Sequence, residues 1–161
     1  MTQPLPLAAL LTLALVACTN RAGTQAPSAL KEPPSVAVTR ERNGARATLT
    51  AREGTLRLAG QDLRVQTYGG SFPGPVLRLR EGERVHLTLR NELEEPTTLH
   101  LHGLPVGPDV DDPFRKIAPG ASAEFDFTLP RGSAGTYWYH THTHGRSDTQ
   151  LFAGLAIILI K

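Results

Sequence analysis

Seven short stretches of the chain alternate apolar and polar residues with a period of two: 45–51 (ARATLTA), 54–60 (GTLRLAG), 62–69 (DLRVQTYG), 75–80 (PVLRLR), 84–93 (RVHLTLRNEL), 97–103 (TTLHLHG) and 122–129 (SAEFDFTL). An eighth, 154–161 (GLAIILIK), is almost continuously apolar. A strand sends successive side chains to opposite faces, so such stretches bury one face and leave the other in water. Clusters of turn residues separate them: AGQD, GGSFPGP, REGE, APGA and PRGSAG. Short alternating strands punctuated in this way predict an all-β chain, a β-sandwich or barrel of one domain, with no helical stretch of note.

The first residues read differently. From Leu5 to Ala17 the chain is apolar apart from Pro6 and Thr12, shorter than the roughly 20 residues a membrane-spanning helix needs. The run predicts a secretory signal over 1–18, although no Lys or Arg precedes it. Leu15-Val16-Ala17-Cys18 resembles the lipobox of bacterial lipoproteins, which implies lipidation of Cys18 and anchoring to a membrane in the cell envelope or periplasm. The polar, Pro-rich stretch 19–35 (TNRAGTQAPSALKEPPS) predicts a flexible linker, and residues 36–161 the folded domain.

Charge narrows the partners. The formal net charge is +2, and basic residues are interspersed with acidic ones, so nothing points to nucleic acid. Cys18 is the only cysteine. The folded part therefore has no disulfide and no thiolate to offer a metal.

The chain has 6 histidines, and all but His86 fall in two segments, TTLHLHGL (97–104) and TYWYHTHTHG (136–145). Alternation places His86 with Arg84, Thr88 and Arg90 on a solvated face. It sends Leu99 and Leu101 inward and sets His100 and His102 side by side on the opposite face, about 6.6–6.8 Å apart along the strand. His140 and His142, with His144 beyond them, repeat the spacing. Two such pairs in a histidine-poor chain point to a metal site of neutral imidazoles. Copper, zinc, iron or nickel all suit it, and the affinity order for nitrogen ligands favours Cu(II).

Three segments carry a resemblance: GGSFPGPVLRLREGERVHLTLRNELEEPTTLHLHGL, VDDPFRKIAPGASAEFDFTL and GTYWYHTHTHGRSDTQLFAGLAIILI. Over about Tyr68 to Ile160 they resemble the first cupredoxin (plastocyanin-like) domain of multicopper oxidases such as laccases, ascorbate oxidase and bacterial copper-efflux oxidases. Departures are Glu83 where Asp is usual, Asp112 where Gly is common, and Ile157 where another Gly is typical. The resemblance implies a Greek-key β-sandwich of cupredoxin type that binds copper. His100 would be a type 2 copper ligand and His102, His140 and His142 type 3 ligands, with Asp111 at the position of a proton-relaying acid. His144 would stand beside the site rather than ligate.

In that family the rest of the cluster's ligands come from a later cupredoxin domain, and the type 1 blue copper requires a cysteine thiolate. The resemblance therefore implies half a type 2/type 3 cluster, no type 1 site, and no oxidase turnover by this chain alone. One expectation is a half-oxidase completed by a second cupredoxin chain, by self-association or by a continuation of the gene. Another is a stand-alone copper-binding lipoprotein of the envelope that buffers or delivers copper. A third is a single zinc or copper that activates water.

Overall fold

The computed structural model describes residues 31–161. The expected signal, Cys18 and most of the expected linker lie outside the described residues. Glu32–Lys161 forms one compact unit. It takes in the last residues of the stretch read as linker, because Val36 N–H donates to the Val76 carbonyl and Val76 N–H to that of Pro34.

Nine strands and one helix follow in order: β1 (Val38–Glu41), β2 (Gly44–Leu58), β3 (Gln61–Tyr68), β4 (Leu77–Arg78), β5 (Arg84–Asn91), β6 (His100–His102), β7 (Ser122–Thr128), β8 (Thr136–His140), α1 (Ser147–Ala153) and β9 (Ala156–Ile160). They form two sheets. One runs β1-β2-β5-β7 with β3 paired to β2, and the other runs β4-β9-β8-β6. The β2–β5 and β4–β9 pairs are parallel, and the remaining ladders are antiparallel.

The alternating positions do what the pattern requires. Ala45, Ala47, Leu49 and Ala51 of β2, Val85, Leu87 and Leu89 of β5, and Phe125 and Phe127 of β7 form the inner face of the first sheet. Leu101, Tyr139, Ile157 and Leu159 from β6, β8 and β9 form the inner face of the second. Between them the rings of Tyr68 and Tyr139 meet at 5.0 Å, and the Tyr139 hydroxyl donates to the Pro75 carbonyl at 2.6 Å. The chain is thus an all-β sandwich.

Two local expectations are corrected. Stretches 45–51 and 54–60 are one strand rather than two, because the backbone stays extended through Arg52–Gly54 while the apolar phase slips there from odd to even positions, and the second half leaves the core as a hairpin with β3. The expectation of no helix fails at α1, whose seven residues are too few to show a helical period. Gly154 ends this helix in the left-handed region at φ 118°, its N–H bonded to the Leu151 carbonyl at 3.0 Å.

A Cβ on Gly154 would lie 3.0 Å from both the Gln66 carbonyl and the Phe72 ring. The Gly154→Ala variant is accordingly expected to lose at least about 1–2 kcal/mol from backbone conformation alone. Urea denaturation of the two proteins measures the loss, and equal midpoints would show that the turn is not constrained.

Candidate metal centre

The short pairing of β6 with β8 builds the site. His100 faces His140, Leu101 faces Tyr139 and His102 faces Trp138. Leu101 and Tyr139 turn inward, so the histidines and Trp138 share the outer face of the second sheet. The approach to β6 is fixed by Asn91, which is buried. Its amide donates to the Glu95 and Ile117 carbonyls, both at 2.9 Å.

His100, His102 and His140 come together. Each can present one ring nitrogen such that all three lie within 4.8 Å of one another. His140 Nε2 and His102 Nδ1 are 3.4 Å apart, a spacing that one shared proton or one shared cation can occupy. The ring of His142 is 5.4 Å from that of His100 and 6.2 Å from that of His140, beside the trio but outside the set whose nitrogens all lie within 4.8 Å of one another. The cause is local: β8 ends at His140, and the chain leaves the ladder before His142.

Orientation of the rings is set by their far nitrogens. His100 Nδ1 donates to the Asp111 carboxylate at 2.9 Å, and the same carboxylate accepts the Leu101 N–H at 3.1 Å. His140 Nδ1 lies 2.7 Å from the Thr141 carbonyl, which can only accept, so that nitrogen carries the proton. In both rings the lone pair is thereby left on Nε2, which in His140 faces His102 Nδ1. Ligating histidines are held in this way, the second ring nitrogen bound to a carboxylate or carbonyl.

Burial lowers the pKa of His140, and the surrounding imidazoles add to the effect. The ring is only 4% exposed and is kept neutral, the form that binds a metal. His142 Nδ1 is buried with no hydrogen-bond partner. A donor set of oriented imidazoles with one orphaned ring nitrogen fits a borderline-soft cation of the copper type.

Of the other sequence candidates, two lie outside the trio and one touches it. His144 is exposed and stacks on Phe114 at 4.7 Å. His86 sits on the other sheet with Nδ1 3.0 Å from Asp126. Asp111, expected as a proton relay, lies against His100.

Sequence reasoning missed three contributors. Trp138 stacks on His140 with centroids 3.9 Å apart and lies 4.8 Å from His102. Thr97, Thr98, Thr141 and Thr143 are buried beneath the histidines, and Gln150 of α1 is buried among them. Thr97, Thr141 and Thr143 were open to detection, since residues alternating with outward histidines point inward; Thr98 shares the parity of His100 and His102 and was not.

The fold and the site together define a cupredoxin-like domain with a histidine cluster on the outer face of one sheet. A family model described as multicopper oxidase matches residues 50–161, and the chain belongs to the multicopper oxidase family. Multicopper oxidase MmcO of Mycobacterium tuberculosis is 32% identical over 114 residues, 69% of this chain and 22% of that protein. Copper resistance protein A of Escherichia coli is 30% identical over 127 residues, 76% of this chain and 21% of that protein. Among solved structures, a multicopper oxidase from Campylobacter jejuni described as a metallo-oxidase superposes with a TM-score of 0.76 at 38% identity, covering 81% of this chain and 28% of that one. A laccase from Pediococcus acidilactici gives 0.75 at 34% identity, with 81% and 29% covered. The chain thus spans between a fifth and a third of the length of these relatives. Membership of the family implies copper.

Proposed function

We propose that this domain supplies half of a type 2/type 3 copper cluster, with His100 as the type 2 ligand and His102, His140 and His142 as type 3 ligands, and that a second cupredoxin domain supplies the rest. One observation carries the reading. Three imidazoles converge within 4.8 Å on a sheet face, and two of them already have Nδ1 bound to an acceptor. Copper held there would supply one-electron chemistry towards oxygen. The chain's own residues orient the ligands, keep His140 neutral by burial and move protons. Asp111 serves the last role: its carboxylate holds the His100 Nδ1 proton and is 15% exposed, which leaves it open to exchange with water.

The need for a second domain is supported by the greater length of the relatives. It is supported also by the absence of any cysteine in 19–161, which leaves the domain without the thiolate of a type 1 copper. We place the protein in the cell envelope, exported through the apolar run at 5–17 and anchored at Cys18.

Copper-loaded protein should bind Cu(II) without an intense blue thiolate-to-copper absorption. By itself it should not sustain oxygen consumption with phenols or Cu(I) as reductant. Optical spectra and an oxygen electrode test both points. A strong blue band, or sustained turnover by a verified monomer, would overturn the half-cluster reading. A second reading, a copper buffer or carrier without catalysis, is favoured by one feature: the trio is complete within a single chain and can hold an ion unaided.

A further inference from the structure

The β6–β8 ladder ends at the His100–His140 pair, yet His142 and the residues around it are fixed. Past that point the two histidine segments are joined by side chains. The His142 N–H donates to Thr98 Oγ1 at 2.6 Å. The hydroxyl of Thr141 lies 3.0 Å from that of Thr143 and 2.6 Å from Gln150 Oε1. Thr97 Oγ1 lies 3.1 Å from the same Gln150 oxygen, and Gln150 Nε2 donates to the Pro96 carbonyl at 2.9 Å.

The direction of these bonds follows from what each atom can do. A carboxamide oxygen only accepts, so Thr141 donates to Gln150 Oε1, and the Thr97 hydroxyl, 3.2 Å from Thr141 Oγ1 as well, donates to one or both of these oxygens. With its hydrogen spent there, Thr141 is free to accept from Thr143. The hydroxyl chain therefore terminates on one atom of one side chain. Gln150 is 0% exposed, as are Thr97 and Thr141. A buried hydroxyl without an acceptor is costly, so removing that oxygen leaves the linked hydroxyls one acceptor short.

We propose that Gln150 is the positioning residue of the histidine centre. Its carboxamide clamps Thr141, between His140 and His142, to Thr97 and Pro96 at the base of the first histidine segment. The threonines are thereby held inward and the imidazoles outward. The short helix α1 serves to carry this one side chain under the site, and its C-terminal turn at Gly154 fixes the depth. The inference rests on the copper reading for its consequence, but its structural content concerns the metal-free chain.

Two variants test it. Gln150→Leu keeps the bulk and removes the acceptor, and Thr141→Val removes one donor with little change of shape. Both should exchange the His142 amide at least about tenfold faster in the metal-free protein, since a clamp worth about 1.4 kcal/mol or more is lost. Both should weaken Cu(II) binding by about 10–100-fold, the usual cost of losing a group that orients ligands. Gln150→Glu should recover most of both, because a buried carboxyl is kept protonated and offers the same acceptor with an O–H for Pro96. Leu49→Ala, a core truncation in the other sheet, controls for lost stability. If Gln150→Leu and Thr141→Val behave like Leu49→Ala, losing stability with Cu(II) affinity and His142 exchange unchanged, the proposal is overturned, as it is if Gln150→Glu recovers nothing. Failure of the unaltered protein to bind Cu(II) would refute the copper reading, and the exchange rates would still decide the role of Gln150.

Discussion

Replacing His100, His102, His140 and His142 together by Ala is expected to abolish retention of Cu(II) by the purified protein. Among the described residues these four imidazoles gather at the β6–β8 pair and just beyond its end, while His144 is turned onto Phe114. Single replacements should grade the loss. Removing His140 deletes a ring whose Nε2 faces His102 at 3.4 Å and whose buried position keeps it neutral. The drop should exceed the roughly 10–100-fold that follows loss of a merely orienting partner. Removing His142 should cost less in the isolated chain, because its ring stands outside the trio. Metal analysis after dialysis reads each variant, with circular dichroism to show that the sandwich is intact. Undiminished copper in the fourfold variant would place the metal somewhere other than this face.

The second large effect concerns association. His102, Trp138 and Ile158 are cross-strand neighbours on β6, β8 and β9, and all three are exposed, Trp138 by 37% and Ile158 by 43%. An apolar stripe continuous with a ligand cluster is the kind of surface that another domain covers. Copper shared across such a contact strengthens it, because a ligand bound only by the assembled form stabilises that form. Copper-replete protein should therefore associate with itself or with a second cupredoxin chain, and a chelator should reverse this. Ile158→Glu puts a charge in the stripe without touching a ligand. It should weaken association by at least about tenfold, a cost of roughly 1.4 kcal/mol or more that a well-buried interface side chain commonly carries, while copper held by the single chain is unchanged. Sedimentation velocity with and without copper measures both. A strictly monomeric protein under copper-replete conditions would favour buffering or delivery.

The alternation at 84–90 and 122–128 was sufficient to assign β5 and β7 and every core position on them, because each strand buries one face along its whole length. The histidine spacing was equally legible, since an H-x-H pair on a strand has no geometric alternative to sharing a face. What the sequence did not disclose depends on contacts distant along the chain. Asp111 was singled out only through the family resemblance, and its bond to His100, made from a loop, has no local pattern to mark it. Gln150 looks like one polar residue among several in RSDTQLF, and only the fold shows it to be buried. The separation of His142 from the trio follows from where β8 stops. Identical H-x-H spacing does not reveal that, because the ladder's end is set by the turn leading to α1.

The position of bound copper decides between a cluster on this face and one elsewhere. Crystals of the copper-loaded protein, with diffraction recorded at the copper absorption edge, locate it directly. The predicted result is an anomalous peak on the outer face of the β4-β9-β8-β6 sheet, bounded by the rings of His100, His102 and His140, with Asp111 still on the far side of His100. A copper peak outside that face, or imidazoles that leave the metal unbound at full loading, would contradict it.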